Sequence, residues 1–304
     1  MCTAISYKHY FGRNLDYEHD FGEKVIIIPR NHAINGIKTG TAIIGIGTVI
    51  NKYPLLFDAV NEHGLGVAGL NFPNNAYYHN QNTNKVNIAP YEFITYILSE
   101  CKNIDDVQAL LKRLNIEKRD FSDDLPSTPL HWFISDTKRS LTVETVKAGL
   151  KVYENPTGVL TNNPSFDIQM FNLNNYMHLT AGEPVNKFSK ALTFDTYSRG
   201  MGGMGMPGDL SSQSRFVRAV FTKFNSVSEN DLGQFFHILN AVEQQKGCVK
   251  VGDKYEYTIY TSCCDTKKGI YYYKTYDDLT IRSIDMHSVD LNGKVIKEMP
   301  IYTT

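Results

Sequence analysis

The chain has 304 residues, 42% of them hydrophobic and 21% charged, and a net charge of −1 at neutral pH. That composition belongs to a soluble globular protein long enough for one large domain or two ordinary ones, and it gives no support for nucleic-acid or polyanion binding. No segment approaches the ~20 apolar residues that span a bilayer, and no charged leader with an apolar core marks a secretory signal. Val25–Ile28 is too short to span and is stopped by Pro29-Arg30.

Read in chain order, strand signals come first. Lys24–Pro29 and Thr41–Val49 are rich in β-branched residues, and Gly64–Phe72 is an apolar run interrupted by glycine. Two helical segments follow. Pro90–Cys101 is apolar on one side, and Ile104–Leu114 repeats Ile104, Val107, Leu110, Leu111 and Leu114 at helical spacing. Asn103 suits its N-cap, with Asp105 and Asp106 in the first turn. Strands return at Leu130–Ser135, Leu141–Val146, Leu150–Glu154 and Val159–Thr161. A polar, glycine-rich stretch from about Asn172 to Ser214 leads to a second helical pair, Arg215–Phe224 and Asp231–Lys246. Ser228 and Asp231 are spaced as a capping box for the latter, and Gly247 stops it. Glu256–Ser262, Ile270–Tyr276 and Thr280–Asp285 close the chain as strands. The order of strands, two helices, strands, two helices, strands is not the alternation of a doubly wound fold. Two sheets, each covered by a helical pair, in one α+β domain over 1–304, is the economical arrangement.

Chemistry concentrates at position 2. Initiator methionine is normally trimmed before small residues, so Met1-Cys2-Thr3-Ala4 would mature to a chain that begins with Cys2. A thiol and a free α-amine would then share one residue, a nucleophile beside its own base. The amine titrates at roughly 7.7–8.0, so it accepts a proton near neutral pH. Phe11-Gly12-Arg13-Asn14-Leu15-Asp16 follows closely. If it forms the hairpin partner of a strand opened by Cys2, the Arg13 cation would favour thiolate and the Asp16 anion would hold the amine. The same two charges also suit a surface ion pair at a turn. Asn71 in Leu70-Asn71-Phe72-Pro73 and Asn162 in Thr161-Asn162-Asn163-Pro164 end strands and offer oxyanion-hole donors, although Asn near Pro equally opens turns.

Other features carry less. The run Arg199–Asp209, with its glycines and methionines, lacks the Gly-Lys-Ser/Thr ending of a phosphate loop. His63, His131 and His237 invite a dyad with Cys2, but an amine base requires no histidine, and His237 reads as packed within Phe235–Leu239. The five cysteines (Cys2, Cys101, Cys248, Cys263, Cys264) are odd in number and lack metal spacing. Reduced thiols of a cytoplasmic protein with no metal and no cofactor are expected.

Taken together, Met1-Cys2-Thr3-Ala4, Phe11–Tyr17, Gly66–Pro73, Gly158–Pro164 and Gly200–Arg218 resemble the choloylglycine hydrolase family, and within it the bacterial bile salt hydrolase group. The resemblance runs through essentially the whole chain, in order. It implies the N-terminal nucleophile hydrolase fold, an αββα four-layer sandwich. It implies Cys2 as nucleophile, with Arg13, Asp16, Asn71, Asn162 and Arg215 as its supporting set. A conjugated bile salt is the implied substrate, its steroid in an apolar pocket to which Tyr17, Phe21 and Phe72 are assigned. A homotetramer is the implied assembly, with no nucleic-acid or membrane partner. Penicillin V acylases share this catalytic set, and a non-catalytic binder of steroid-like amphiphiles would share the scaffold. The chain is shorter than the bile salt group around Arg30–Thr41, where loops shape substrate preference.

Overall fold

The structure, a computed structural model, describes residues 1–34 and 37–302. It opens with strands β1 (Cys2–Tyr7), β2 (Tyr10–Tyr17), β3 (Lys24–Ile28), β4 (Ala33–Ile34) and β5 (Ile37–Lys38). Next come β6 (Ile43–Ile50), β7 (Tyr53–Asn61), β8 (Gly66–Asn71) and β9 (Val86–Ile88), then helices α1 (Phe93–Glu100) and α2 (Ile104–Leu111). Strands β10 (Leu114–Ile116), β11 (Leu130–Ser135), β12 (Ser140–Val146), β13 (Gly149–Glu154) and β14 (Val159–Leu160) precede α3 (Phe166–Asn172), α4 (Ser212–Asn225) and α5 (Asp231–Asn240). The chain ends in β15 (Val249–Val251), β16 (Lys254–Asp265), β17 (Ile270–Thr275), β18 (Arg282–Asp285) and β19 (Lys297–Pro300).

Two antiparallel sheets form the centre. One runs β14-β1-β2-β16-β17-β18, with β15 attached to β16; the other runs β13-β12-β11-β8-β7-β6-β3-β19. Strands β1 and β2 face β7 and β8 across the interior, while α4 and α5 cover the first sheet and α1 covers the second. The strands alternate side chains between faces, and both faces of each sheet are covered, so apolar residues point both ways. Ile27, Ile44, Ile46 and Leu70 meet Ile5, Phe11 and Tyr260 in one core, whereas Ile26, Ile28, Ile43 and Val67 pack under α1 and α2 in another. The layers are therefore helix, sheet, sheet, helix, as expected. No helix among the described residues is long and apolar enough to cross a membrane.

Several local expectations are corrected. β7 lies where the sequence reading places no strand, because Pro54, Asp58 and Asn61 interrupt its apolar pattern. The latter two are fully buried and partnered: Asn61 donates to the carbonyls of Leu98 at 3.0 Å and Cys101 at 2.7 Å. Helix α3 likewise lies where the sequence reading places no helix. Helix α5 ends at Asn240 rather than Lys246, and its N-cap is Asn230, whose side chain accepts from the Gly233 N–H, rather than Ser228. His237 is exposed, since the helical phase turns Phe235, Phe236, Ile238 and Leu239 inward and carries residue 237 to the outside. Within the Arg30–Thr41 stretch, Asn35 and Gly36 lie outside the described residues.

Candidate active site

The β1–β2 hairpin sets the geometry. Its register pairs Cys2 with Leu15, Thr3 with Asn14 and Ala4 with Arg13. Alternation along both strands then sends Cys2, Arg13, Leu15 and Tyr17 to the side facing the second sheet, and Thr3, Asn14 and Asp16 to the side facing the helices. Contacts bear this out: Asn14 donates to the Leu239 carbonyl at the end of α5 at 3.0 Å, and Arg215 on α4 donates to Thr3 Oγ1 at 2.6 Å. Gly12 permits the close approach of β2 to β16, since a Cβ there would fall 2.1 Å from the Ser262 carbonyl oxygen.

Asn162, just beyond β14, knots the site together. Its Oδ1 accepts from the Cys2 backbone N–H at 2.8 Å and from Arg215 Nη2 at 2.8 Å, while its Nδ2 donates to the Asn71 carbonyl at 2.7 Å. Its own N–H goes to Ser212 Oγ at 2.8 Å, fixing the loop to the start of α4. Asn71 pairs with Leu130, yet the Leu130 N–H donates to Tyr78 Oη and the Phe72 N–H to the Pro129 carbonyl. Asn71 therefore occupies a non-hydrogen-bonded pair of the antiparallel ladder, and its N–H and carbonyl both turn away from β11. Asn71 and Cys2 line the same cavity, and the Asn162 side chain bridges the two.

Two buried arginines bracket the cysteine. Arg215 donates through Nη1 to the Cys2 carbonyl at 2.6 Å, and stands 3.8 Å from Asp16 Oδ2. Burial pulls its guanidinium below the ordinary value, against the opposing charge of Asp16. Arg13 donates through Nη1 to the carbonyls of Phe57 at 3.0 Å and Gly69 at 2.5 Å. Burial works against its charge, but the surroundings of Cys2, Tyr260 and Asp58 hold it above the ordinary value.

Asp16 accepts from Thr258 Oγ1 at 2.6 Å, and its Oδ2 makes no hydrogen bond among the described residues. Burial raises its pKa from the usual carboxylate range, opposed chiefly by Arg215 and the chain terminus. Met1 is in place. Its ammonium donates to the Asp16 carbonyl at 2.7 Å and to Glu256 Oε2 at 2.5 Å, and its carbonyl accepts from the Asp16 N–H at 2.9 Å.

Cys2 and Arg13 also line a cavity of about 230 Å³ whose wall is mostly apolar, including Leu15, Tyr17, Phe21, Ile50, Leu55, Leu56, Phe57 and Leu130. Tyr17, His19, Phe21 and Phe57 form a chain of ring contacts along one side, and Tyr91 and Phe121 meet edge to face on another. Arg13 is the one charged residue among those lining it. The structure thus brings Cys2, Arg13, Asp16, Asn71, Asn162 and Arg215 together, and sets Tyr17 and Phe21 on the cavity wall. Phe72 is elsewhere. It is fully buried, stacked on His131 at 4.2 Å between ring centroids, because alternation turns it away from the side that Asn71 faces. His131 is fully buried and tied to the Thr161 carbonyl and Glu144, and His63 is exposed.

Sequence reasoning missed Glu256, Thr258 and Asp58. Asp58, fully buried between the sheets, accepts from Tyr260 at 2.6 Å, Ser262 at 2.9 Å and Tyr271, and offsets the charge of Arg13. None of the three has a sequence signal, since their meaning depends on which strand lies alongside.

Comparison with known proteins establishes the family. The family model described as linear amide C–N hydrolases, choloylglycine hydrolase family, matches residues 2–298. The chain belongs to this family and is a hydrolase of linear carbon–nitrogen amides. It is 50% identical to the bile salt hydrolase/transferase of Lactiplantibacillus plantarum, covering 99% of this chain and 97% of that one. It is 39% identical to the bile salt hydrolase/transferase of Clostridium perfringens, covering 98% and 96%. Its structure is similar to that of the Cys2→Ala mutant of the conjugated bile acid hydrolase from Clostridium perfringens, with TM-score 0.93, 38% identity and coverage of 100% and 97%. Penicillin V acylase from Agrobacterium tumefaciens shares the fold, with TM-score 0.75, 19% identity and coverage of 99% and 91%. The fold is that of the N-terminal nucleophile hydrolases.

Proposed function

We propose that the chain, once Met1 is removed, hydrolyses the amide joining a bile acid to glycine or taurine, with Cys2 as nucleophile. The observation that carries this reading is the Cys2 thiol on the wall of an apolar cavity, with its own nitrogen held by Asn162. The free α-amine takes the thiol proton and Sγ attacks the amide carbon. The carbonyl oxygen becomes an oxyanion received by the Asn71 N–H and the second N–H of Asn162, each contributing about 2.7–4 kcal/mol to lowering the barrier. Collapse breaks the C–N bond, and the leaving nitrogen takes the proton from the Cys2 ammonium. Water then adds to the thioester carbon, gives a proton to the amine, and Sγ departs to release the bile acid. Asp16 Oδ2, without a hydrogen bond among the described residues while Met1 is attached, is an acceptor assigned to the new ammonium. Arg13 and Arg215 hold the network through their contacts with the carbonyls of Phe57, Gly69 and Cys2.

A rigid, apolar steroid matches a wall of aromatic and aliphatic side chains, and the full-length similarity to bile salt hydrolases favours it over the phenoxyacetyl group of penicillin V. Side-by-side kinetics test this choice. With glycocholate, taurocholate and penicillin V, kcat/KM for at least one bile salt should exceed that for penicillin V by about tenfold or more; the opposite order would favour the acylase reading. Binding of bile salt without product release, with Met1 still attached, would instead favour a non-catalytic binder. The reading includes a cytoplasmic location and a homotetramer. Exposed apolar side chains in the irregular stretch after α3, including Met177, Phe188, Phe194 and Tyr197, supply a surface for self-association.

A further inference from the structure

Glu256 is a carboxylate with an unusual setting. It sits on β16, two residues before Thr258, so both side chains lie on the helix-facing side beside Asp16. Its side chain is 7% exposed, its Oε2 holds the Met1 ammonium at 2.5 Å, and its Oε1 has no hydrogen-bond partner among the described residues. When Met1 leaves, the cation that this carboxylate holds leaves with it. Asp16 is differently placed, because Thr258 and Arg215 already oppose its charge.

Covalent geometry bounds where the new amine lies. Successive backbone nitrogens are roughly 3 to 3.5 Å apart. The Cys2 nitrogen is therefore within about 6 Å of Glu256 Oε2, close enough to meet it directly or through one water. The other charged or titratable groups around Cys2 are Asp16, Arg13 and Tyr17 on β2, Arg215 on α4, and the Cys2 thiol itself. Asp58 and Tyr260 stand behind Arg13. Asp16 and Arg215 form one opposed pair and Asp58 and Arg13 another; Glu256 acts on Arg215 only at longer range, and among the described residues its one ion pair is with the Met1 ammonium.

We propose that Glu256 is a second positioning residue for the Cys2 amine, beside Asp16, helping to hold its proton and setting the pH above which it acts as a free base. This rests on the reading of Cys2 as an N-terminal nucleophile and gives that reading a tuning element. A negative charge at this distance favours the ammonium, so removing it frees the base at lower pH.

The test uses Glu256→Gln, with Cys2 verified as the first residue by intact mass. The acid limb of kcat/KM for glycocholate, which reports the free enzyme, should move down by about one pH unit, and turnover well below the wild-type limb should rise about tenfold. Glu256→Asp should return the limb towards wild type. Glu298→Gln, which removes an exposed charge paired with Lys24 on the other sheet, should leave it unmoved. The same shift should appear without any substrate when the 15N-labelled Cys2 α-nitrogen is titrated by NMR. Superimposable NMR titrations of wild type and Glu256→Gln would overturn the proposal even if the protein cleaved bile salts well. A downward NMR shift in a protein inert towards bile salts would sustain it and refute the substrate assignment instead.

Discussion

Cys2→Ala should fold as the parent does and lose kcat by on the order of 10⁴-fold or more. Removing the nucleophile leaves only binding and the oxyanion donors, which cannot form the thioester. The structural cost is small by comparison. Cys2 is 2% exposed, but its backbone N–H still reaches Asn162 and its carbonyl still receives Arg215, because neither contact involves the sulfur. Stability should change by about 1 kcal/mol, the price of a small buried group. Cys2→Ser should be nearly as inactive, since a hydroxyl is a poorer nucleophile for the same base. Steady-state release of amino acid, with circular dichroism as the fold control, checks both variants. A Cys2→Ala chain that retained turnover would remove the thiol from the mechanism.

Retaining Met1 should be nearly as damaging as losing the sulfur. The Cys2 nitrogen is then an amide, its lone pair delocalised into the Met1 carbonyl, and it cannot accept the thiol proton. The structure shows how firmly the extra residue is seated: Met1 extends the β1–β2 ladder through both of its backbone hydrogen bonds to Asp16, and its ammonium is held by Glu256. Protein carrying an uncleaved N-terminal extension should release amino acid on the order of 10³-fold more slowly or worse, while binding bile salt through the same cavity. Intact mass sorted against specific activity across preparations checks this, and full activity from a blocked amine would contradict it.

Much of the site was legible because its chemistry lies in short, directional motifs. Met1-Cys2 announces a nucleophile with its own base, and Arg13 and Asp16, three residues apart, are placed by the hairpin that their strand pattern suggests. Asn71 ends β8 and Asn162 follows just beyond β14, close to where the sequence puts them. What was hidden depends on which strand lies beside which. Phe72 looks like a pocket aromatic until the pleat turns it under His131. Asp58 reads as a strand breaker until Tyr260, Ser262 and Tyr271 from the opposite sheet surround it. Glu256 is an ordinary acidic residue before a tyrosine, and only the pairing of β16 with β2 brings it to the chain terminus. Helix ends were similarly local matters, as the Asn230 cap of α5 shows: an adjacent Asn outcompeted the spaced Ser228.

Partitioning of a common intermediate tests the covalent role of Cys2 most directly. Glycocholate and taurocholate differ only in the amine they release, so a Cys2 thioester formed from either is the same acyl-enzyme. Added hydroxylamine should intercept it and give cholyl hydroxamate at the expense of cholate, with the same hydroxamate-to-cholate ratio from both substrates at each trap concentration. A ratio that depends on whether glycine or taurine was the leaving group would contradict a shared thioester on Cys2.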